Sequence, residues 1–418
     1  MKQKDKNKII SETISATRLK RKSQTCKTFR FKIDKSSLNS AQKEALKMFF
    51  VESKYVYNYI LGSKLDIFNL YYKELNHIKR RDKDGNELDY SIKYIGSSVV
   101  SDIITLMKDS IKSLSSSKKN GRNVGGLKFK SEYNSIRLKQ YGVTHSIKGS
   151  KIKIQGIKKP IRVNGLKQLS KYKNIDYTVA HILYDGYDYF ISLTCFIDKQ
   201  KTNKTNNNII GLDFGCESTI TLSNGEKIKI SVEESERLKG LQARLASQTK
   251  RSNNWYKTKS LIKKEYNHIT NKKNDISNKI VHNLVSNYDT IVIQDDQFNE
   301  WHETEKCSKT VQHSVLGRIK NKLIRYDNTV VLDNWFPTTK YCFDCGTKVD
   351  IKLNERKFKC PTCGSKSDRD VHAANNMIEF YKEIQSVGTV DLKPGKKVSY
   401  NSYKRLFEQE ALLHSSTE

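Results

Sequence analysis

Residues 338–377 read TTKYCFDCGTKVDIKLNERKFKCPTCGSKSDRDVHAANNM, and this stretch sets a metal-binding pattern directly against an acidic cluster. Cys342 and Cys345 form one C-x-x-C, Cys360 and Cys363 a second, and the residues between them alternate polar and apolar as in a hairpin. Each C-x-x-C turn lets two thiolates grip one side of a tetrahedral ion, while Gly346 and Gly364 relax the backbone behind each knuckle. The pattern predicts a zinc ribbon. Four cysteines leave no open coordination position, so its Zn²⁺ is expected to be structural. Asp368, Arg369 and Asp370 follow, and then VHAANNMIEFYKEI, of helix-forming composition. Carboxylates at a helix start are favoured by its dipole and its free N–H groups, so two readings stand for Asp368 and Asp370, helix cap or metal ligand.

The 418 residues exceed one ordinary domain and suffice for two or three compact units. Lys and Arg outnumber Asp and Glu by 77 to 45, a formal charge of +32. Such an excess repels itself and is most simply tolerated when a polyanion neutralises it, which makes nucleic acid the expected partner. A mean hydropathy of −0.69 speaks against a membrane role. The start, MKQKDKNKIISETIS, lacks the apolar core of a signal peptide, so a reducing, bacterial-type cytoplasm is expected, with association to the nucleoid when bound to DNA. Cys26, Cys195, Cys216 and Cys307 are scattered singly and read as buried thiols.

Along the chain, residues 1–24 are Lys-, Ser- and Thr-rich and read as a disordered basic lead-in. Thr28–Ile33 alternates as a strand with one basic face. From Ser40 to Lys64 and again from Val99 to Leu114 the apolar residues recur at helical spacing, which gives a helical unit over 40–125. Lys128, Phe129, Lys130, Arg137 and Lys139 form a candidate phosphate-contacting strip with one stacking ring, or else a solvated strand face. The short runs KIKIQGI, IRVNG, YTVAHILY and YFISLTCFI predict a barrel or meander up to 198, and polar 199–208 reads as a linker.

Beyond the linker the pattern changes. Ile209–Gly215, IIGLDFG, is an apolar strand bearing one carboxylate, Asp213, that is costly to bury without a cation or hydrogen-bonding nest. Thr219–Leu222 reads as its hairpin partner, 233–287 as long basic helix, and YDTIVIQDD at 288–296 as another apolar strand ending in acid. The acidic termini at Asp213, Asp295–Asp296 and Asp368–Asp370 each stand where an α/β sheet gathers its ends. Two-metal phosphoryl chemistry needs such a set, two Mg²⁺ ions held about 3.5–4 Å apart by shared carboxylates.

GLDFG, the strand at 288–296, VQHSVLG, the CFDC and CPTC knuckles and DRDVHAANNM, in that order, resemble the split RuvC nuclease of the TnpB family of transposon-encoded RNA-guided nucleases. They are also similar to the miniature type V-F CRISPR effectors. These motifs cover 209–377, and TFRFKI, KYVYNYIL and GLKFKSEYNSIRL resemble the family's amino-terminal half more loosely. The resemblance implies a multidomain α+β chain. Residues 25–39 and 126–198 would form a β-barrel wedge domain, 40–125 its helical recognition insert, and 209–337 with 367–385 an RNase H-like (RuvC) nuclease domain. The zinc ribbon at 338–366 would contact target nucleic acid, leaving a tail at 386–418. It implies guide RNA and target DNA as partners, in a monomer or a homodimer, and Asp213 and Asp370 as first and last Mg²⁺-binding catalytic carboxylates. Arg369 between the aspartates joins the nucleic-acid-binding set. Where many members carry Glu in the middle strand this chain has Gln294, a poor Mg²⁺ ligand. Asp296, two residues on and on the same strand face, is the expected replacement, with Asp295 or Glu300 as alternatives. A nuclease-deficient RNA-guided DNA binder and a DNA-joining transposase on the same fold remain as other classes.

Overall fold

The structure, a computed structural model, describes residues 3–63, 65–81, 85–198, 208–301, 305–352, 355–386 and 397–404. The expected linker, except Asn208, most of the tail and the Cys307 side chain lie outside the described residues. The chain forms two compact units, 1–201 and 202–418.

The first unit runs α1 (Gln3–Lys22), β1 (Gln24–Lys32), α2 (Ser40–Gly62), β2 (His77–Arg81), β3 (Glu87–Ser91), α3 (Ser97–Lys119), β4 (Ser135–Leu138), β5 (His145–Lys148), β6 (Lys151–Ile154), β7 (Ile161–Arg162), β8 (Ile175–Tyr184) and β9 (Tyr189–Asp198). One sheet has the order β1-β9-β8-β4, a smaller one β5-β6-β7, and β2 and β3 make a hairpin. Asn39 caps α2 in a capping box with Gln42, so the helix begins where its Asn/Ser signal stands. The helices and strands share one core. Phe50 of α2 stacks on Tyr189 and tilts against Tyr184, which ties the helical segment to the β8–β9 ribbon. Glu52, fully buried, accepts from the Tyr90 hydroxyl and the N–H groups of Lys93, Tyr94 and Ile95, which satisfies its charge.

Two expectations change here. The lead-in is helical, not disordered: Lys20 and Arg21 pair with Asp176, and the Arg21 guanidinium lies 3.8 Å over the Phe196 ring. These tertiary contacts supply what its weak apolar periodicity cannot. Cys26 is exposed, because it shares the outer face of edge strand β1 with Thr28 and Arg30, and Cys216 is disulfide-bonded. Cys195 is buried.

The second unit continues with β10 (Ile209–Phe214), β11 (Ile220–Leu222), β12 (Lys227–Ile228), α4 (Glu236–Ser247), α5 (Asn253–Asn287), β13 (Thr290–Gln294), α6 (Phe298–Trp301), α7 (Glu305–His313), α8 (Leu316–Leu323), β14 (Thr329–Leu332), β15 (Lys357–Lys359), β16 (Lys366–Asp368), α9 (Arg369–Ser386) and β17 (Lys397–Val398). Its six-stranded sheet has the order β12-β11-β10-β13-β14-β17, and β10, β13, β14 and β17 run parallel. A parallel sheet needs cover on both faces, and the strand residues divide accordingly. Ile210, Leu212, Phe214, Ile291 and Ile293 pack against Val281 and Leu284 of α5 and Ile319 and Leu323 of α8. Val292 and Leu332 face Met377, Phe380 and Ile384 of α9 on the other side. No described helix is long and apolar enough to cross a membrane.

Alternation puts Gly211 and Asp213 on the α9 face of β10. A Cβ at Gly211 would stand 1.9 Å from the Ala374 carbonyl oxygen, so the α9 backbone rests directly on the strand. The notch fixes where the first turn of α9, with Asp370, lies relative to Asp213. Gly211→Ala should therefore dislodge α9 and lower the melting temperature sharply, and an unchanged melting curve would show that α9 is placed by other contacts.

Candidate functional site

The four cysteines gather. Their sulfurs lie within 4.8 Å of one another, Cys342 Sγ to Cys363 Sγ at 3.6 Å and Cys345 Sγ to Cys360 Sγ at 3.5 Å. A tetrahedral ion with Zn–S bonds of about 2.3 Å spaces its sulfurs about 3.8 Å apart, so the cluster fits Zn²⁺. Gly346 and Gly364 donate back to the carbonyls of Cys342 and Cys360 at φ of 69° and 76°, a left-handed turn that suits glycine. Beneath the ribbon lies a residue that sequence reasoning passed over. His372 of α9 stacks on Phe358 with centroids 3.5 Å apart and leans on Phe343. Its Nε2–H donates to the Tyr341 carbonyl, which fixes the tautomer, and Nδ1 then accepts from Ser367 Oγ. Asn376, one turn on, donates to the carbonyls of Thr338 and Tyr341, both at 2.6 Å. The VHAANN pattern carried the signal, as His372 and Asn376 stand four apart on one helix face.

The acidic cluster lies at the other end of the same helix joint. Asp368 is the cap: its Oδ1 accepts from the N–H groups of Asp370 and Val371, and Oδ2 pairs with Lys227 at 2.7 Å. Asp370, freed from capping, faces Asp213. Burial first, and then the charges of Asp296 and Asp370, push the Asp213 carboxyl well above the usual carboxylate range. Burial pushes Asp296 up to about 7 against the pull of Lys320, and its Oδ2 is buried with no hydrogen-bond partner. A buried orphan acceptor beside two other carboxylates suits a hard cation with oxygen ligands. Among the described residues only the four cysteines bring three or more such ligand atoms within 4.8 Å of one another, and Asp213, Asp296 and Asp370 stand wider than that.

Of the alternatives for the middle strand, Asp295 is turned elsewhere. Its oxygens pair with Lys320 and with Lys397, the latter at 2.8 Å, and these cations outweigh burial to hold its carboxyl below the usual range. Lys320, 8 % exposed, also donates to the Asp296 carbonyl at 2.7 Å and so holds the strand end. Glu300 is exposed on α6. Gln294 is engaged as an amide. Nε2 donates to the carbonyls of Asp333 at 3.1 Å and Phe336 at 2.9 Å, and Oε1 accepts from Thr338 Oγ1 at 3.0 Å.

In the strip proposed for phosphate, Lys128 and Phe129 are exposed, the ring 66 % so. The other cations have partners inside the first unit. Lys130 sits between Tyr57 and Tyr133, 4.2 and 4.4 Å from their centroids, where burial lowers its pKa. Arg137 and Lys139 both pair with the buried Asp102. Arg369 pairs with Asp370 and donates to the Glu355 carbonyl.

Residues 192–298 match the family described as "Probable transposase", and 313–377 match the Cas12f1-like TNB domain. The chain resembles the TnpB proteins. A protein of Streptomyces pristinaespiralis, provisionally named an RNA-guided DNA endonuclease, is 30% identical over 200 residues, 46% of this chain and 49% of that protein. InsQ of Escherichia coli K12, with the same provisional name, is 25% identical over 207 residues, 43% of this chain and 50% of its own. The chain thus spans about half the length of these curated relatives. The structure of the mini-RNA-guided endonuclease CRISPR-Cas phi3 matches over 85% of this chain and 92% of its own at 10% identity, with a TM-score of 0.39.

Two outcomes test the site. Cys342→Ser or Cys360→Ser should lower zinc below one per chain in elemental analysis, and full zinc in either variant would contradict the cluster. Asp213 and Asp296 keep protons in the folded state at pH values where unfolded carboxylates, with pKa about 3.9, have lost them. The folded state binds more protons, so Asp296 makes metal-free stability fall as pH rises from about 4 to about 7, and Asp213 adds to the fall from about 4 upward. Asp213→Asn should accordingly melt above wild type at pH 8 but not at pH 4, and added Mg²⁺ should raise the wild type alone. Equal melting temperatures at both pH values would oppose the assignment.

Proposed function

We propose that the protein is an RNA-guided DNA endonuclease that cuts guide-complementary DNA beside a short protein-read duplex motif by two-metal phosphodiester hydrolysis. The observation that supports this reading is that β10, the chain just past β13 and the start of α9 carry Asp213, Asp296 and Asp370, with the charges of the last two acting on the first. The provisional names of the relatives and the charge of +32 support it. In this reading the sheet of the second unit is the RuvC-type nuclease domain. The strands of the first unit form the wedge domain around the α2–α3 recognition segment, and the ribbon contacts target nucleic acid. The partners are guide RNA and target DNA, in a monomer or a homodimer working in the cytoplasm.

Asp213, Asp296 and Asp370 would hold Mg²⁺. The chemistry supplied by two bound ions is activation of a water and neutralisation of the leaving oxygen. The chain's own residues set the stage: Gly211 seats α9 against β10, Asp368 caps the helix so that Asp370 is free, and Lys320 fixes the end of β13. The protein would read the motif and the shape of the heteroduplex, with base pairing reading the sequence.

Gln294 favours a second reading, a nuclease-deficient guided binder, since the family's Glu position here carries an amide committed to backbone carbonyls. One experiment separates the two. Protein carrying the RNA that co-purifies with it is given matching DNA and Mg²⁺. Cleavage is expected, lost by at least about a hundredfold in Asp213→Ala, Asp370→Ala and Asp296→Ala, with guided binding retained, because phosphate contacts elsewhere carry affinity. Guided binding without cleavage by the wild type would select the binder, and full cleavage by Asp296→Ala would remove Asp296 from the site.

A further inference from the structure

The loop after β14 is built to hold one ring in solvent. Trp335 is 74% exposed, yet the backbone on either side of it is fixed from three directions. Asp333, 6% exposed, accepts the Trp335 N–H on Oδ1 at 3.0 Å and the Tyr400 N–H on Oδ2 at 2.9 Å. Gln294, 8% exposed, donates to the carbonyls of Asp333 and Phe336, which bracket the tryptophan. The Phe336 ring is buried, edge-on to Phe380 and Tyr400 with centroids 5.3 and 5.1 Å away, and tilted against Tyr403. A large apolar ring left in water is a cost, and buried polar groups spent on framing it point to a partner for its face.

Its place says which partner. Gln294 ends β13, Leu332 ends β14 opposite it, and Asp295 and Asp296 follow directly, so Trp335 rides on the same sheet edge as the carboxylates. Lys397 of β17, 45% exposed, stands on that edge as well and pairs with Asp295. An exposed indole at the sheet end that carries groups suited to phosphodiester chemistry matches single-stranded DNA, with a base on the ring and the backbone running toward the carboxylates. We propose that Trp335 is a stacking platform for an unpaired base of the DNA strand presented to the carboxylates, an assignment that rests on the nuclease reading. Gln294 then acts as a positioning residue. Its amide is kept because a carboxylate could donate to neither carbonyl.

The test is binding, apart from cleavage. The full chain is titrated with a fluorescent oligo-dT strand at a salt concentration that screens general phosphate attraction, with an oligo-U strand and a duplex hairpin alongside. Trp335→Ala should weaken oligo-dT binding between about 5-fold and about 150-fold, the range that loss of one stacked base gives. Trp335→Phe should recover part of it, and duplex affinity, zinc content and melting temperature should stay as in wild type. Unchanged oligo-dT affinity in Trp335→Ala, an equal loss on the duplex, or a loss confined to oligo-U would overturn the proposal. If the wild type never cuts guided DNA while Trp335 still governs oligo-dT binding, the nuclease reading fails and the platform stands.

Discussion

The contact between Gly211 and the backbone of α9 is the constraint on which the second unit depends. A strand and a helix ordinarily keep a layer of side chains between them, and here one position has none, with the Ala374 carbonyl where a Cβ would be. That close approach carries consequences in both directions along α9. Toward its start it sets Asp370 opposite Asp213, two residues past the notch on the same face of β10. On either side of it the same contact brings His372 and Asn376 under the carbonyls of Thr338 and Tyr341, so the ribbon is tied to the same helix that supplies a carboxylate. The metal knuckles and the acidic edge are thus two ends of one rigid joint.

The acidic edge is held under electrostatic tension. Three carboxylates face one another in a partly buried setting, and protons or cations must answer for them. The neighbouring cations answer only in part: Arg369 pairs with Asp370, while Lys320 and Lys397 pair with Asp295 and Lys227 with Asp368. Each aspartate pair therefore divides its work. Asp295 neutralises lysines while Asp296 keeps an unpaired oxygen, and Asp368 caps while Asp370 faces inward. This division leaves Asp296 and Asp370, rather than their neighbours, as the carboxylates whose charges act on Asp213.

Much of this was legible in the residues. The ribbon was readable because two C-x-x-C pairs with glycines behind them admit few other meanings, and Asp213 because an acid in an apolar strand needs compensation. In the second unit β10 and β13 fall within the strands read at 209–215 and 288–296, whereas the helix read over 233–287 is two, α4 and α5, interrupted at 248–252. What could not be read was whatever depends on distant contacts. Helix α1 is mostly polar and leaves Ile9, Ile14 and Leu19 exposed, and it is secured by Asp176 and Phe196, more than 150 positions away in sequence. Lys130, Arg137 and Lys139 look like free cations in the sequence, while their partners Tyr57 and Asp102 lie on α2 and α3. Gln294 reads as a missing ligand until the carbonyls of Asp333 and Phe336 are seen against it. Sequence spacing exposes local chemistry, and it stays silent on which of two adjacent aspartates turns which way.

The central claim is that the α9–β10 joint gathers Asp213, Asp296 and Asp370 into one divalent-cation site. Crystals soaked in Mn²⁺, a divalent stand-in for Mg²⁺ with strong anomalous scattering, test it directly. The account expects anomalous density bounded by those three carboxylates, absent from Asp213→Asn crystals. Density at Asp295 or Glu300 instead, or none at the sheet edge at saturating Mn²⁺, would contradict it.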